Sequence, residues 1–265
     1  MSKEHNSPFF QVPTTAMPTV FGDLIQPALY YDVSTLMAFF ATEYYRAASK
    51  LSAIGLKPGV MWGNKAVVGL AFYEYRDTSL GPYNEVGLAI PALPAHQSLP
   101  FGGWLDLYAS VKTRRLGFYI LNLPVTSEFA CQSGVEFYGY PKFVTEIPFH
   151  LDSESFNSQV RDPNGKDEIV TLSGRLGPGI PGRAMDLVTF SVLNAKSMRA
   201  TVNVRGGVRM RTGRGLRLQV GLSLHEMARN CCDLGLDGAR PFLVSETHEF
   251  QSRLNPAEEY DWTAR

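Results

Sequence analysis

Glycine-containing turns between extended segments constrain the fold of this chain most strongly. Asp162-Pro163-Asn164-Gly165 separates two β-prone runs, residues 156–161 and 169–172, and Gly206-Gly207 separates two further runs. Two-residue turns that contain Asn-Gly or Gly-Gly connect antiparallel neighbours, because glycine tolerates the positive φ that these turns require. The pattern therefore predicts a mainly antiparallel sheet.

Alternation of apolar and polar residues predicts strands along most of the chain and few helices. Strands are expected at residues 35–41, 66–75, 85–91, 104–111, 116–121, 143–151, 156–161, 169–172, 187–195, 199–205, 207–211, 216–220 and 242–254. Helices are expected at residues 43–53, at 126–136 with Thr126 or Ser127 as N-cap, and at 223–231, whereas residues 177–182 are expected to form a loop. No internal repeat and no linker divides the sequence, so one β-rich domain is expected.

Composition excludes several classes of partner. Hydrophobic residues make up 45% and charged residues 19% of the 265 residues, and the formal net charge is zero. A nucleic-acid-binding protein would carry a basic excess, and a bilayer-spanning helix would need an apolar run of about 20 residues. We therefore expect a soluble protein without nucleic-acid or membrane partners.

The cysteines and glycines give no sign of a bound metal or nucleotide. Cys131, Cys231 and Cys232 are an odd number without the spacing of a zinc site, which favours a reducing cytoplasm. The segment 211–215, Arg-Thr-Gly-Arg-Gly, lacks the Lys-Ser/Thr ending of a phosphate-binding loop. We expect neither a metal site nor a cofactor.

The first 20 residues differ from the rest of the sequence. They contain Lys3, Glu4, His5 and three prolines and have no continuous apolar core, so they match neither a signal peptide nor a membrane anchor. We expect a flexible N-terminal arm over residues 1–20, followed by a single domain over residues 21–265.

Lys142 stands in an unusual setting for a lysine. Residues 134–144, Gly-Val-Glu-Phe-Tyr-Gly-Tyr-Pro-Lys-Phe-Val, surround it with four aromatic residues, two glycines and a proline. Apolar surroundings disfavour the ammonium form, so the pKa of Lys142 is expected to fall from about 10.4 towards neutrality and to release a nucleophilic amine. The alternative is an exposed lysine that follows a proline turn.

The spacing Gly-x-Glu-x-x-x-Tyr-Pro-Lys over residues 134–142 resembles the acetoacetate decarboxylase family, whose Schiff-base lysine follows such a Tyr-Pro pair. Residues 77–85, Asp-Thr-Ser-Leu-Gly-Pro-Tyr-Asn-Glu, followed by Ala89-Ile90-Pro91, resemble the family's segment that carries its active-site glutamate. The resemblance implies that Lys142 is the nucleophile and that Glu85 is the acid. It also implies an α+β fold, a mainly antiparallel β barrel or cone with a few short peripheral helices, and a homo-oligomer.

The sequence departs from the family pattern at three positions. Phe143 stands where the family has a second lysine, and no charge is found near Ser34 and Ala71, where the family has an arginine and a second acid. Without a neighbouring cation, desolvation is the main expected cause of a lowered pKa at Lys142.

Four further residues are candidates for supporting or substrate-contacting roles. Glu136, six residues before Lys142, could bind backbone donors beside the site. Tyr83 and Tyr140 could orient a substrate oxygen, or could pack around the proline turn. Phe143 would contribute to the apolar surroundings of the lysine.

Two functions fit these residues. In the first, the chain is a lyase in which Lys142 forms a Schiff base with a small or medium keto acid or another carbonyl compound. Decarboxylation, aldol or retro-aldol reaction and dehydration would all pass through an enamine, with Glu85 moving protons at a pKa raised by an apolar rim. In the second, the barrel is an apolar pocket without covalent chemistry, as in a cyclase or a small-molecule-binding protein.

Overall fold

The computed structural model describes residues 5–263. The α helices of this part of the chain are α1 (Tyr44–Ser49), α2 (Glu128–Tyr138) and α3 (Glu226–Asp233), and short 3₁₀ segments span Ser52–Ile54, Pro100–Tyr108 and Gly213–Gly215. The strands are β1 (Thr15–Thr19), β2 (Gly22–Gln26), β3 (Ala28–Glu43), β4 (Leu56–Pro58), β5 (Met61–Trp62), β6 (Lys65–Thr78), β7 (Tyr83–Pro94), β8 (Gly117–Asn122), β9 (Phe149–Leu151), β10 (Ser155–Arg161), β11 (Glu168–Arg175), β12 (Gly179–Arg183), β13 (Leu187–Leu193), β14 (Lys196–Arg205), β15 (Gly207–Arg211), β16 (Leu216–Val220), β17 (Leu243–Leu254) and β18 (Glu258–Glu259).

Seven strands close into a barrel. The order is β3, β6, β7, β8, β13, β14 and β17, and β17 pairs with β3 to complete the ring. The β8–β13 pair is parallel, and the other six neighbouring pairs are antiparallel. The prediction of an α+β fold with a mainly antiparallel barrel and short peripheral helices is confirmed.

Both faces of the barrel wall are buried. Side chains alternate along a strand, so one set points away from the barrel and the next points into it. On the outer side of β6 and β7, side chains such as Leu70, Phe72 and Leu88 are fully buried. They belong to one apolar cluster with side chains of the sheet β16-β11-β10-β9, and the rings of Phe72 and Phe156 lie 5.1 Å apart. Burial of each large apolar side chain contributes about 1.5–3 kcal/mol. The other face of the wall surrounds a cavity.

The two glycine turns have different outcomes. The Asp162–Gly165 turn joins β10 to β11 as an antiparallel hairpin, as predicted. For Gly206-Gly207 the sequence allows a bend or a hairpin. The structure has the bend, and the hairpin is wrong, because β14 and β15 run in the same direction beside β17. Gly206 has a φ of 121°, and a Cβ there would lie 2.1 Å from the carbonyl oxygen of Glu249. Glycine is therefore needed at this bend for close backbone approach.

The strand expected at residues 104–111 is also wrong. Most of that segment belongs to the 3₁₀ region Pro100–Tyr108, in which Phe101, Gly102 and Gly103 have positive φ. The indole of Trp104 donates a hydrogen bond to the carbonyl oxygen of Met61, at 2.6 Å. The apolar side chains that suggested a strand, Trp104 and Leu107, instead pack in one cluster with Phe39, which also lines the barrel cavity.

Three other boundaries differ from expectation. The helix expected at 43–53 begins one residue later, because β3 continues to Glu43, and it is divided into α1 and the 3₁₀ turn Ser52–Ile54. Of residues 143–151, the strand β9 contains the last three. The loop expected at 177–182 mostly forms β12, which pairs with β15.

The expected arm contains a β ribbon. Strands β1 and β2 pair with each other, and before them His5 contacts Asp77 at 2.8 Å. Residues 1–4, with Lys3 and Glu4, lie outside the described residues, as do residues 264–265. The flexibility of the arm and its boundary with the domain at residue 20 stay predictions.

Within residues 5–263, every helix is too short or too polar to cross a bilayer.

Candidate active site

Helix α2 and the segment after it place Lys142. Ser127 caps the helix by accepting a hydrogen bond from the backbone of Ala130, and Gly139 ends it in the left-handed conformation. The chain then runs parallel to residues 123–125, with a hydrogen bond from the Val125 amide to the Phe143 carbonyl at 2.9 Å. This extended course directs Lys142 into the barrel.

Strand β7 places Glu85 near its first residue, at the edge of the barrel. Glu85 lies opposite Tyr73 of β6 in the antiparallel register and forms a β-bridge with Val125 on its other side. Val125 also bridges to Val144. The segments that carry Glu85 and Lys142 are therefore both neighbours of the same short stretch of backbone.

Lys142 and Glu85 form a buried ion pair. The lysine Nζ donates a hydrogen bond to Oε2 of Glu85 at 2.5 Å, and the two side chains are 6% and 10% exposed. The hydroxyl of Tyr75 donates to the other carboxylate oxygen, Oε1, at 3.1 Å. The protonation states that the sequence led us to expect for this pair stay predictions. The geometry brings an amine and a carboxylate within direct proton-transfer distance.

The pair faces a cavity of about 130 Å³ that is lined by residues from all seven barrel strands. Most of the lining is apolar, including Phe39, Phe118, Ile120 and Phe250. Its uncharged polar side chains are those of Tyr30, Tyr73, Tyr75, Tyr140, Thr189 and Ser252. Within the part of the chain that the structure describes, Glu85 and Lys142 are the only charged residues of the lining.

Tyrosines surround Glu85 and stay neutral. Burial, followed by the charge of Glu85, raises the pKa of Tyr30 and of Tyr75 well above the ordinary value. Burial, the neighbouring Tyr30 and then Glu85 raise the pKa of Tyr83 in the same way. Each phenol therefore keeps its proton across the physiological range and acts as a hydrogen-bond donor.

The two tyrosines predicted from the sequence lie at the site. Tyr140 lines the cavity, and its hydroxyl shares a hydrogen bond of 2.7 Å with the Thr189 hydroxyl. Tyr83 is buried beside the lysine, with its ring centroid 6.0 Å from Nζ of Lys142, and its hydroxyl donates to that of Tyr30 at 3.4 Å. A catalytic role for either stays a prediction.

Glu136 and Phe143 are not brought into the cavity. Glu136 lies on the exposed side of α2. Phe143 follows Lys142 in an extended segment, so its side chain points the opposite way, and its ring lies 4.2 Å from that of His225. Phe143 therefore does not occupy a place beside the amine where a second cation would act.

The sequence did not identify Tyr30, Tyr73 and Tyr75 as residues of the cavity. It also did not identify Gly134 as the helix residue against which the Lys142 side chain lies. On β6, the alternate residues Ala71, Tyr73 and Tyr75 face the cavity, and the last two lie opposite Glu85 and Tyr83 of β7. Taking every second residue from Glu85 would have identified the cavity-facing residues of its own strand, β7. It could not identify β6 as the partner strand, because register is a long-range property.

Comparisons with known proteins agree with this geometry. The family model described as acetoacetate decarboxylase matches residues 7–215. No curated protein matches the sequence.

Among solved structures, one from structural studies of acetoacetate decarboxylase is 18% identical, with a TM-score of 0.61 and coverage of 88% of this chain and 89% of that one. The enduracididine biosynthesis enzyme MppR is 11% identical, with a TM-score of 0.63 and coverage of 89% and 90%. An acetoacetate decarboxylase-like enzyme from Sphingomonas wittichii RW1 is 13% identical, with a TM-score of 0.60 and coverage of 88% and 92%. These likenesses show a common fold, and the family model, which matches more than half of the sequence, shows that the chain belongs to the acetoacetate decarboxylase family.

Proposed function

We propose that the protein is a Schiff-base-forming lyase whose nucleophile is Lys142 and whose substrate is a small or medium carbonyl compound. The observation that carries the proposal is the buried contact between Lys142 and Glu85 at the wall of an apolar cavity. An amine held in such a cavity is kept from bulk water, which favours condensation with a carbonyl over hydrolysis of the product.

The chemistry balances with the two residues alone. Glu85 accepts the proton of the Lys142 ammonium, and the free amine attacks the carbonyl carbon, forming a C–N bond. Glu85 returns this proton to the carbonyl oxygen, then takes a second proton from the nitrogen and passes it to the same oxygen, which leaves as water. An iminium remains, and Glu85 is again a carboxylate. The iminium draws electrons from an adjacent bond and becomes an enamine as carbon dioxide leaves, as an aldol partner leaves with its hydroxyl proton passing to Glu85, or as an α-proton passes to Glu85. In a dehydration, the enamine then expels a β-hydroxyl group that Glu85 protonates, and a conjugated iminium forms. Protonation at carbon and hydrolysis restore Lys142.

Tyr75 supports Glu85 in this scheme. Its hydrogen bond to Oε1 fixes the carboxylate so that Oε2 faces the amine. A positioned acid that exchanges protons at successive steps contributes about 10²- to 10⁴-fold to the rate. We assign this role to Glu85.

A structural relative gives independent support for carbonyl chemistry in this kind of barrel. The enduracididine biosynthesis enzyme MppR has been solved in complex with the condensation product of pyruvate and imidazole 4-carboxaldehyde. Two carbonyl compounds thus occur joined in a barrel with the fold described here. This favours a lyase with aldol, dehydration or decarboxylation chemistry over a purely structural use of the cavity.

Reductive trapping tests the proposal. The protein is incubated with a ketone and cyanoborohydride, and the modified peptide is located by mass spectrometry. We expect a single adduct on Lys142, absent in Lys142→Arg because a guanidinium stays protonated, and retained in the control Lys166→Arg, at an exposed lysine. A ligand that binds without a trapped adduct would support the alternative, a non-covalent cyclase or binding protein.

We also propose a cytoplasmic homo-oligomer. The 3₁₀ segment carries exposed Phe101 (79%), Leu105 (67%) and Tyr108 (53%), and Trp62 nearby is 54% exposed. Clustered exposed aromatic residues are typical of subunit contacts. Light scattering at micromolar concentration is expected to give a multiple of the chain mass, and a monomeric mass would contradict the proposal.

A further inference from the structure

We infer that the cavity selects neutral carbonyl compounds over keto acids whose carboxylate lies within a few carbon atoms of the carbonyl. The inference rests on the proposed function and narrows its substrate class: it keeps aldol reaction and dehydration and excludes decarboxylation of a β-keto acid. It is carried by the charges of the lining, by its free hydroxyl groups and by an arginine that lines only the neighbouring cavity.

The charges of the lining already cancel. Lys142 and Glu85, 2.5 Å apart, have no net charge as a pair whichever of them holds the proton, and in the described part of the chain no further cation faces the cavity. A substrate carboxylate would therefore enter a largely apolar, enclosed space as an uncompensated charge, which is strongly unfavourable. The substrate carboxylate could enter only if Glu85 took up a proton. The substrate carboxylate would then replace that of Glu85 as the charged partner of Lys142.

Neutral donors take the place of a cation. The hydroxyls of Tyr73 and Ser252 line the cavity and make no hydrogen bond to another described residue. Burial, and then the charge of Glu85, raise the pKa of Tyr73, so its hydroxyl stays protonated and can donate to an uncharged oxygen. Such groups recognise a carbonyl or hydroxyl oxygen, whereas a carboxylate is preferentially bound by the planar fork of an arginine.

An arginine lines a neighbouring cavity. This smaller cavity, of about 50 Å³, shares Met37, Phe39 and Phe250 with the first, and Arg183 belongs to its lining and not to that of the first. Within the described residues, the cavity that holds Lys142 therefore offers a substrate carboxylate no guanidinium.

The test compares two compounds of the same shape. 4-Oxopentanoate carries a carboxylate where 5-methyl-2-hexanone carries an isopropyl group, and neither can lose carbon dioxide through an enamine. Binding of each is measured by titration calorimetry, and adduct formation is measured separately by cyanoborohydride trapping. We expect the neutral ketone to bind on the order of 100-fold more tightly. Any binding of 4-oxopentanoate should be accompanied by uptake of a proton, detected from the dependence of the heat on buffer ionisation.

The two readouts distinguish the two proposals. Preferential binding of the ketone without a trapped adduct would support the charge selection and refute the Schiff base. Equal or tighter binding of 4-oxopentanoate, with both compounds trapped, would refute the charge selection and leave the lyase intact. Failure of both compounds to bind at millimolar concentration would also overturn the inference.

A variant with an added cation gives a second test. Ala71 lines the cavity on β6, beside Tyr73 along the same face. Ala71→Arg is expected to tighten 4-oxopentanoate binding at least 10-fold, and Ala71→Met, which adds a long side chain without charge, is expected not to. If both variants bind 4-oxopentanoate alike, the missing cation is not what excludes keto acids.

Discussion

The side chain of Lys142 lies directly against Gly134 of helix α2. A Cβ placed on Gly134 would be 2.3 Å from Cε and 2.5 Å from Cδ of the lysine, closer than real carbon atoms approach. The glycine at the start of the Gly-x-Glu-x-x-x-Tyr-Pro-Lys spacing therefore gives the lysine a path across the helix. Its backbone is ordinary helix, so space rather than φ requires glycine here.

Gly134→Ala is accordingly expected to displace the amine. Alanine is favoured over glycine inside a helix by about 1 kcal/mol, so the variant should fold. Trapping of the iminium and turnover should nevertheless fall at least 10-fold, because the methyl group meets a side chain whose far end is held by Glu85. Rates of trapping and urea unfolding curves measure the two effects. Val135→Ala, at the exposed neighbouring position, should change neither, and normal trapping in Gly134→Ala would refute the steric argument.

Glu85→Gln is expected to separate iminium formation from turnover. The amide keeps the shape and can accept from Lys142, but it cannot exchange protons, so turnover should fall about 10²- to 10⁴-fold. The adduct should still accumulate in a long trapping incubation, because water can replace Glu85 in the proton transfers of condensation at a lower rate. Tyr75→Phe removes one hydrogen bond to the carboxylate and should cost about 3- to 10-fold. Steady-state kinetics with parallel trapping measures both. Unchanged turnover in Glu85→Gln would remove Glu85 from the mechanism.

Phe143→Lys is expected to affect stability and not the pH profile. The sequence suggested that this position could supply a cation to Lys142, but its ring packs against His225 and the main apolar cluster. A lysine there would lose about 1–3 kcal/mol of packing free energy, measured by urea unfolding with Phe143→Leu as the milder control. A shift of the pH optimum of one unit or more would show that the new ammonium reaches the amine.

Stability is expected to fall at alkaline pH. Burial raises the pKa of Tyr30, Tyr75, Tyr83 and Tyr140 above that of free tyrosine, so the folded protein keeps protons that the unfolded chain releases near pH 10. The stabilisation is complete below about pH 10 and declines above it, by about 1.4 kcal/mol per pH unit for each such group. Urea unfolding between pH 9 and 11 measures the slope, which Tyr75→Phe should reduce by one proton. Phenolate absorbance from these residues in the folded protein at pH 10.5 would contradict the prediction.

Local features of the sequence predicted much of this structure. The Asn164-Gly165 hairpin, the Ser127 cap and the alternation on the barrel strands are properties of a few neighbouring residues. The two short motifs pointed to Lys142 and Glu85, whose side chains the structure brings into contact. The features that were missed depend on distant contacts. Gly206 resembles a hairpin glycine, and only the pairing of β14 and β15 with one strand, β17, makes it a bend. Tyr75 gained its place at the site from the register of β6 against β7.

The backbone of Val125 lies between the segments that carry Glu85 and Lys142, and its side chain is not part of the cavity lining. Its backbone bridges to Glu85 on one side and to Val144, two residues after Lys142, on the other, so the separation of the reactive pair is set by main-chain pairing. Much of the cavity wall, in contrast, consists of side chains from β3, β13 and β17, which take no part in those bridges. Substitutions on these strands can reshape the chamber one position at a time while the reactive pair keeps its spacing. Substrate range and reaction chemistry can thus diverge independently in this barrel.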